Sequence, residues 1–257
     1  MDSSGTWHYG LIARWWAEFN VAEPHELAYY RAAIRRFGEP VLDLGCGAGR
    51  ILLPLLEEGF DIDGSDVSAD MIAQARVLAA RNGIEPHLTI QPMHELDARR
   101  AYRTVYICGA LGIGGRPEHD RETLRRVYRA LTPGGALLIT DQELLEHYRD
   151  PPREWRETGQ RRTTSDGDEI ELISRLAELD PDQHVRTMEL RARLWRDGKV
   201  VTEETHRLTE LPYSLSELEQ MLHDAGFRDV GVAANYTDRT PTSDDAMVAI
   251  TARKPTT

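Results

Sequence analysis

The stretch "VLDLGCGAGR", Val41 to Arg50, constrains this chain more than any other. A short apolar run ends in a turn with Gly45, Gly47 and Gly49, and "GRILLPLLEEG" behind it reads as a helix. Glycine is placed where backbone must reach a positive φ or let another group approach closely. A strand, a glycine turn and a helix in that order predict a ligand lying against the backbone at the end of a strand.

The same rhythm repeats downstream. "FDIDGSD" reads as a second strand, and Ser68 caps the helix "ADMIAQARVLAARNG", which Gly83 closes. "HLTIQPM" and "TVYICGALG" are strands three and four; "RETLRRVYRAL" is a helix, and "PGGALLITD" leads into strand five. The alternation predicts an α/β fold: a doubly wound, mostly parallel, Rossmann-like sheet covered by helices on both faces. Residues 1–38 read as a helical N-terminal lid and 39–140 as the core. Residues 141–210 read as an antiparallel β insertion of three strands, with 141–165 polar and irregular. In its middle strand Met188, Leu190, Ala192 and Leu194 alternate with Glu189, Arg191 and Arg193, which predicts one buried and one wet face. Residues 211–257 supply a helix with a Ser214/Glu217 capping box and the last two of seven core strands.

The 257 residues carry a formal net charge of −12, which argues against a nucleic-acid substrate. Arginines cluster at 99, 100 and 103 and again at 125, 126 and 129; the second set has helical spacing and reads as a solvated face. No apolar run is long enough for a membrane span, and the N-terminus lacks a signal-peptide pattern, so a cytoplasmic protein without a membrane partner is expected. Cys46 and Cys108 are too few for a disulfide framework or a cysteine-rich metal site, and no metal is expected.

The spacing of the glycines narrows the ligand. A dinucleotide fingerprint needs G-x-G-x-x-G, and a phosphate-binding loop needs a Lys-Ser or Lys-Thr; "GCGAG" has neither. Asp66 ends the second strand within about 20 residues of the last glycine, where an acid can accept both hydroxyls of a ribose.

With these residues the sequence resembles the class I S-adenosylmethionine-dependent methyltransferases. Their first motif, D/E-x-G-x-G-x-G, is matched by Asp43, Gly45, Gly47 and Gly49; their second-strand acid and Ser-x-x-Met helix start by "SDVSADM"; their glycine turn before strand five by "LTPGGALLI". The resemblance covers about 39–140 and the last two strands, not the insertion. It implies S-adenosylmethionine as cofactor, held by Asp43, Gly45, Cys46, Gly47, Gly49, Asp66, Val67 and Met71, with Cys108 lining the methyl channel. Many relatives read adenine with an acid after strand three; here "QPMHEL" leaves Met93 for packing and the backbone of His94, with Glu95 out of register. Many also hold the cofactor carboxylate with an N-terminal arginine, for which His25 and Arg31 are imperfect substitutes. Tyr9 and Trp16 resemble the N-terminal aromatics that cover the methionine end.

Methyl transfer is an in-line displacement in which the protein positions and desolvates the reactants, and a hydroxyl acceptor is helped by a base. Asp141, at the end of strand five, is the first candidate, with His8 and His119 behind it and His206 weaker still. The loop "CGALG" lacks the Asn/Asp-Pro-Pro-Tyr/Phe of amino-methylating DNA and glutamine enzymes. The expected function is therefore transfer of a methyl group to an O or N atom of a small molecule such as a natural product, sugar amine or small amine. A peptide or protein methyltransferase and a non-catalytic cofactor-binding regulator are the alternatives, and the insertion is a candidate homodimer surface.

Overall fold

The computed structural model describes residues 6, 8–145, 152–242 and 244–256. Two helices open the chain, α1 (Gly10–Phe19) and α2 (Pro24–Phe37). The core alternates β1 (Val41–Leu44), α3 (Leu52–Glu57), β2 (Ile62–Asp66), α4 (Ala69–Arg81), β3 (Leu88–Ile90), a single 3₁₀ turn (Met93–Glu95), β4 (Tyr102–Cys108), α5 (Pro117–Ala130) and β5 (Leu131–Glu143). Helix α6 (Leu215–Ala225) and strands β10 (Arg228–Ala234) and β11 (Met247–Arg253) complete it. The strands form a seven-stranded sheet in the order β3-β2-β1-β4-β5-β11-β10. Its first five members run parallel, β11 runs antiparallel to β5, and β10 antiparallel to β11.

Both faces of this sheet are covered, which is why its strands read as apolar runs rather than alternating ones. Leu42, Val105, Ile107, Leu137 and Ile139 pack with Leu124 and Val127 of α5 and Leu218 and Leu222 of α6. The intervening Val41, Tyr106 and Leu138 pack on the other side with Tyr30 and Ile34 of α2, Leu52 and Leu55 of α3 and Ile72 of α4. The caps are as expected: Ser68 Oγ accepts from the Met71 amide, and Ser214 and Glu217 close a reciprocal capping box.

The insertion is a separate antiparallel sheet in the order β6-β7-β8-β9, comprising β6 (Gln160–Thr163), β7 (Glu169–Asp180), β8 (Val185–Arg196) and β9 (Lys199–Glu210). It has four strands rather than three. Strand β6, "QRRT", is exposed at every position and carries no hydrophobic alternation, so the region reads as irregular until β7 is there to pair with it. The boundary also moves: Gln142 and Glu143 still belong to β5 and pair with β11. The apolar face of β8 is met from two directions. Leu11, Ile12 and Trp15 of α1 pack on Ile170, Leu190, Ala192 and Leu194, and Ile113 packs on Leu176, Met188 and Leu208. Among the described residues no helix is long and apolar enough to cross a membrane.

Candidate active site

The carboxyl ends of β1, β2, β4 and β5 open into one cavity of about 780 Å³. Its floor is the glycine turn. The Gly45 and Cys46 amides both donate to the Ser65 carbonyl, at 2.7 and 2.9 Å, which folds the turn back over the end of β2. Gly45 and Gly47 have φ of +83° and +54°, and a Cβ at Gly47 would sit 2.9 Å from the Met71 methyl. The sequence is glycine here because the turn is left-handed and the space above it is needed. Gly49 (φ +86°) does not line the cavity; a Cβ there would strike the Leu53 side chain, so its glycine serves the start of α3.

Two acids flank the turn. Asp66 Oδ2 accepts the Gly47 amide at 2.8 Å and Oδ1 the Ser68 amide at 2.8 Å, which orients the carboxylate into the cavity. Burial raises its pKa, and these amides oppose the rise. Asp43 is 3% exposed and lies in register with Tyr106 on β4. Burial pushes it up to about 7; Tyr106 opposes the shift, the Asp66 charge adds to it and the Arg50 charge works against it.

The third wall is an ion-pair network centred on Arg50. Its Nη1 donates to both Glu26 oxygens at 2.8 and 3.0 Å, and its Nη2 to Asp141 Oδ2 at 3.0 Å and to Cys108 Sγ at 3.2 Å. Asp141 is further held by the Tyr236 hydroxyl at 2.8 Å on Oδ2 and by the Asn235 amide at 2.5 Å on Oδ1. Asn235 Oδ1 in turn accepts the Asp141 amide at 3.1 Å. Asp141 and Tyr236 both adopt a left-handed backbone, with φ of 50° and 56°. For a tyrosine that conformation is strained, and such strain persists where surrounding contacts over-determine it.

The N-terminal segment supplies one wall of the cavity. Thr6, His8, Trp16 and Asn20 line it. The His8 carbonyl accepts the Ser68 hydroxyl, and the Gly10 and Leu11 amides at the start of α1 donate to Asp70 at 2.7 Å and Glu204 at 2.9 Å. Burial lowers the His8 pKa to about 4, so its imidazole is neutral at pH 7. The Trp16 indole N–H is buried and has no hydrogen-bond partner among the described residues. At the opposite rim, the His94 and His119 rings stack with centroids 3.6 Å apart and planes 19° apart.

The structure thus brings together Asp43, Gly45, Cys46, Gly47, Asp66, Val67, Met71, Met93, His94, Cys108, Asp141, His8, His119 and Trp16 around one cavity. Tyr9 stands outside its lining as the N-cap of α1, and Trp7 lies outside the described residues. His25 and Arg31 do not reach it: His25 meets the Tyr236 ring edge-on, and Arg31 pairs with Glu58. His206 is on β9 beside Glu204. No strand of the insertion sheet lines the cavity; the sheet supports it from behind, through α1 and through the loop after β4, whose Gly114 amide donates to Thr209 at 2.7 Å. Sequence reasoning missed Arg50, Asn235 and Tyr236. Arg50 directly follows the glycine motif, and a long cation there was the one available signal.

A doubly wound sheet with an acid-flanked G-x-G-x-G turn over an open cavity defines a class I S-adenosylmethionine-dependent methyltransferase, with S-adenosylmethionine as methyl donor. Residues 41–135 match the methyltransferase-domain family. The chain is 26% identical over 260 residues to the candidate methyltransferase GWCH70_2453 of Geobacillus sp. (strain WCH70), covering 96% of this chain and 99% of that one. Solved structures that share the fold include two that cover nearly the whole chain. One is an S-adenosylmethionine-dependent methyltransferase from Clostridium acetobutylicum (TM-score 0.76, 14% identity, 92% and 93% of the two chains). The other is the sugar N-methyltransferase KedS8 from Streptoalloteichus sp. (TM-score 0.72, 18% identity, 99% of each).

Proposed function

We propose that this protein methylates an O or N atom of a small molecule, with an amine-bearing natural product or amino sugar as the first class to test. The observation that carries this reading is that Thr6, His8, Trp16 and Asn20 of the N-terminal segment share the wall of one cavity with the glycine turn. A cavity walled in part by the chain's own N-terminal segment suits a compact acceptor that enters whole, rather than a segment of a protein. The acidic lining favours an ammonium group over an anion at its approach. The fold shared with a sugar N-methyltransferase supports the same choice.

In this reading Asp66 receives the ribose hydroxyls, the methionine end lies over the glycine turn, and Met71 and Met93 pack about the adenosine. Gly45 and Gly47 fit that group, since side chains there would fill the space it needs. The cofactor supplies a methyl group on a sulfonium. The protein's own part is to align the acceptor beside Cys108–Ala110, exclude water with the N-terminal segment, and hold the acceptor's amine or hydroxyl toward Asp141. Arg50, Asn235 and Tyr236 hold Asp141 in place, which suits it to orienting the acceptor through an N–H or O–H. The residues of 39–140 with 211–257 thus form the cofactor half, which α2 covers as a core helix; the segment through α1 is the lid and the insertion sheet its support, and a homodimer through that sheet's outer face is compatible with this arrangement.

The test is turnover with S-adenosylmethionine against matched panels of amino sugars, small amines, phenols and peptides, read as S-adenosylhomocysteine release. Methylation of an amine or hydroxyl in a small molecule supports the reading. Turnover on peptides alone, or cofactor binding with no turnover on any panel, overturns it.

A further inference from the structure

The two arginine clusters that appear separate in the sequence meet in space. Arg100, from the turn before β4, and Arg126 and Arg129, from the last turns of α5, rim a second cavity of about 330 Å³. Its floor is apolar and shallow, made of Leu96, Ala98, Ala101 and Ala130. It lies beyond the 3₁₀ turn from the active site: Met93 to Glu95 line the first cavity and Leu96 the second, and Arg126 holds the Leu96 carbonyl at 3.2 Å.

Charge at this rim is not balanced. Five guanidiniums, of Arg99, Arg100, Arg125, Arg126 and Arg129, share three carboxylates, those of Asp61, Asp63 and Glu122. Asp61 and Asp63 satisfy Arg99 and Arg100. The single Glu122 carboxylate serves Arg125, Arg126 and Arg129 at 3.5, 2.9 and 2.8 Å. A guanidinium carries five N–H donors. Nη2 of Arg126 and Nη1 of Arg129 have no acceptor among the described residues. In a chain of net charge −12, a positive excess with spare donors over an apolar floor is a local exception. Placing cations at the C-terminal end of α5 accounts for one arginine or two by the helix dipole, but not for a recess that Arg100 completes from another element.

We infer that this recess is a second ligand site, for a small organic phosphate: the phosphate bridges Arg126 and Arg129, and an apolar or aromatic body lies on Leu96, Ala98 and Ala130. Paired guanidinium–phosphate contacts are the strong, geometrically specific kind, and an aromatic body adds burial that inorganic phosphate lacks.

Phenyl phosphate, inorganic phosphate and phenol are titrated into the full chain by calorimetry and by NMR. Phenyl phosphate is expected to bind in the millimolar range or tighter, several-fold better than inorganic phosphate, with phenol weakest. Arg126→Ala and Arg129→Ala should each weaken it about threefold to tenfold, the loss of one charge-assisted contact at a half-exposed site. Glu122→Gln removes the competing carboxylate and should tighten it, a change that a merely solvated arginine face would not produce. S-adenosylhomocysteine affinity, read in every variant, reports that the chain is folded. The proposal is overturned by phenyl phosphate binding no better than phenol. It is equally overturned by binding that Arg126→Ala and Arg129→Ala leave unchanged while S-adenosylhomocysteine still binds, or by Glu122→Gln weakening it.

Discussion

Arg50 and Asp141 stand 3.0 Å apart, Nη2 to Oδ2, and join the turn after the first strand to the end of the fifth. The same guanidinium holds Glu26 of α2, whose side chain is 8% exposed. One cation therefore neutralises two carboxylates that are far apart in the sequence. Removing it leaves both uncompensated, and breaking such a pair costs far more than the pair itself contributes. Arg50→Ala is expected to lower unfolding free energy by about 3 kcal/mol in urea denaturation. Arg50→Lys should recover part of this, since a point charge cannot fork between Glu26, Asp141 and Cys108.

Asp141 itself should separate binding from turnover. Its Oδ2 is shared by Arg50 and Tyr236, so Asp141→Asn places an amide donor against other donors and turns the group away from the acceptor. The expected result is a fall in kcat of about tenfold or more with little change in S-adenosylhomocysteine affinity, the pattern of an interaction used beyond cofactor binding. Tyr236→Phe loses one hydrogen bond of the set and should cost about threefold to tenfold in kcat. If both variants change only thermal stability, Asp141 is a structural hub and the acceptor lies elsewhere.

Asp66→Asn tests the cofactor side. The carboxylate holds the Gly47 and Ser68 amides and faces the cavity. Loss of its charge should weaken S-adenosylhomocysteine at least about tenfold, a decade being 1.4 kcal/mol. Affinity equal to that of the unaltered chain removes Asp66 from ribose recognition.

The parts of this site that were legible in the sequence are local ones. Gly45, Gly47 and Asp66 sit within one βαβ unit, so spacing alone relates them to one ligand. Arg50 was not legible as a hub because its partners, Glu26 and Asp141, come from far-apart segments that only the sheet order brings together. Asn235 and Tyr236 lie in a turn between antiparallel strands, where nothing in their sequence announces a left-handed tyrosine. The insertion shows the same division. Strands β7 and β8 declare themselves by alternation, whereas "QRRT" is polar on both faces and becomes a strand only by pairing with β7. Arg100 and Arg126 likewise read as two unrelated clusters until α5 packs beside the 3₁₀ turn.

Asp43 makes the stability of the cofactor-free protein pH-dependent in a defined direction. Its pKa rises from 3.8 to about 7 on folding, mainly through burial. Between these values the folded state holds more protons than the unfolded one, so this group's contribution falls as pH rises from about 4 to about 7. His8, lowered from 6.5 to about 4, acts in the opposite sense over nearly the same range, so the unaltered protein alone would hide the effect. Asp43→Asn removes one of the two. The stability difference, variant minus unaltered chain, should therefore move in the variant's favour from pH 4 to pH 7 and level off above. A difference independent of pH in denaturant titrations would show that Asp43 is not held protonated by its surroundings.

Trp16 gives a prediction with two signs. Its ring packs with Ala13, Ala48 and Met71 and lines the cavity, while its indole N–H is buried without a partner among the described residues. An unmatched buried donor costs about 1–3 kcal/mol. Trp16→Phe removes that cost but also loses part of a ring, so the cofactor-free protein should change little in Tm. If the N–H instead finds its acceptor on the bound methyl donor, the same substitution should weaken S-adenosylhomocysteine by about fivefold to tenfold, one hydrogen bond's worth. Trp16→Ala differs in kind: it opens the wall between α1 and α4, and both Tm and affinity should fall. Calorimetric titration of the two variants beside their melting curves distinguishes the cases. Equal affinity for S-adenosylhomocysteine in Trp16→Phe and in the unaltered chain would make Trp16 a packing residue of the lid and no contact of the cofactor.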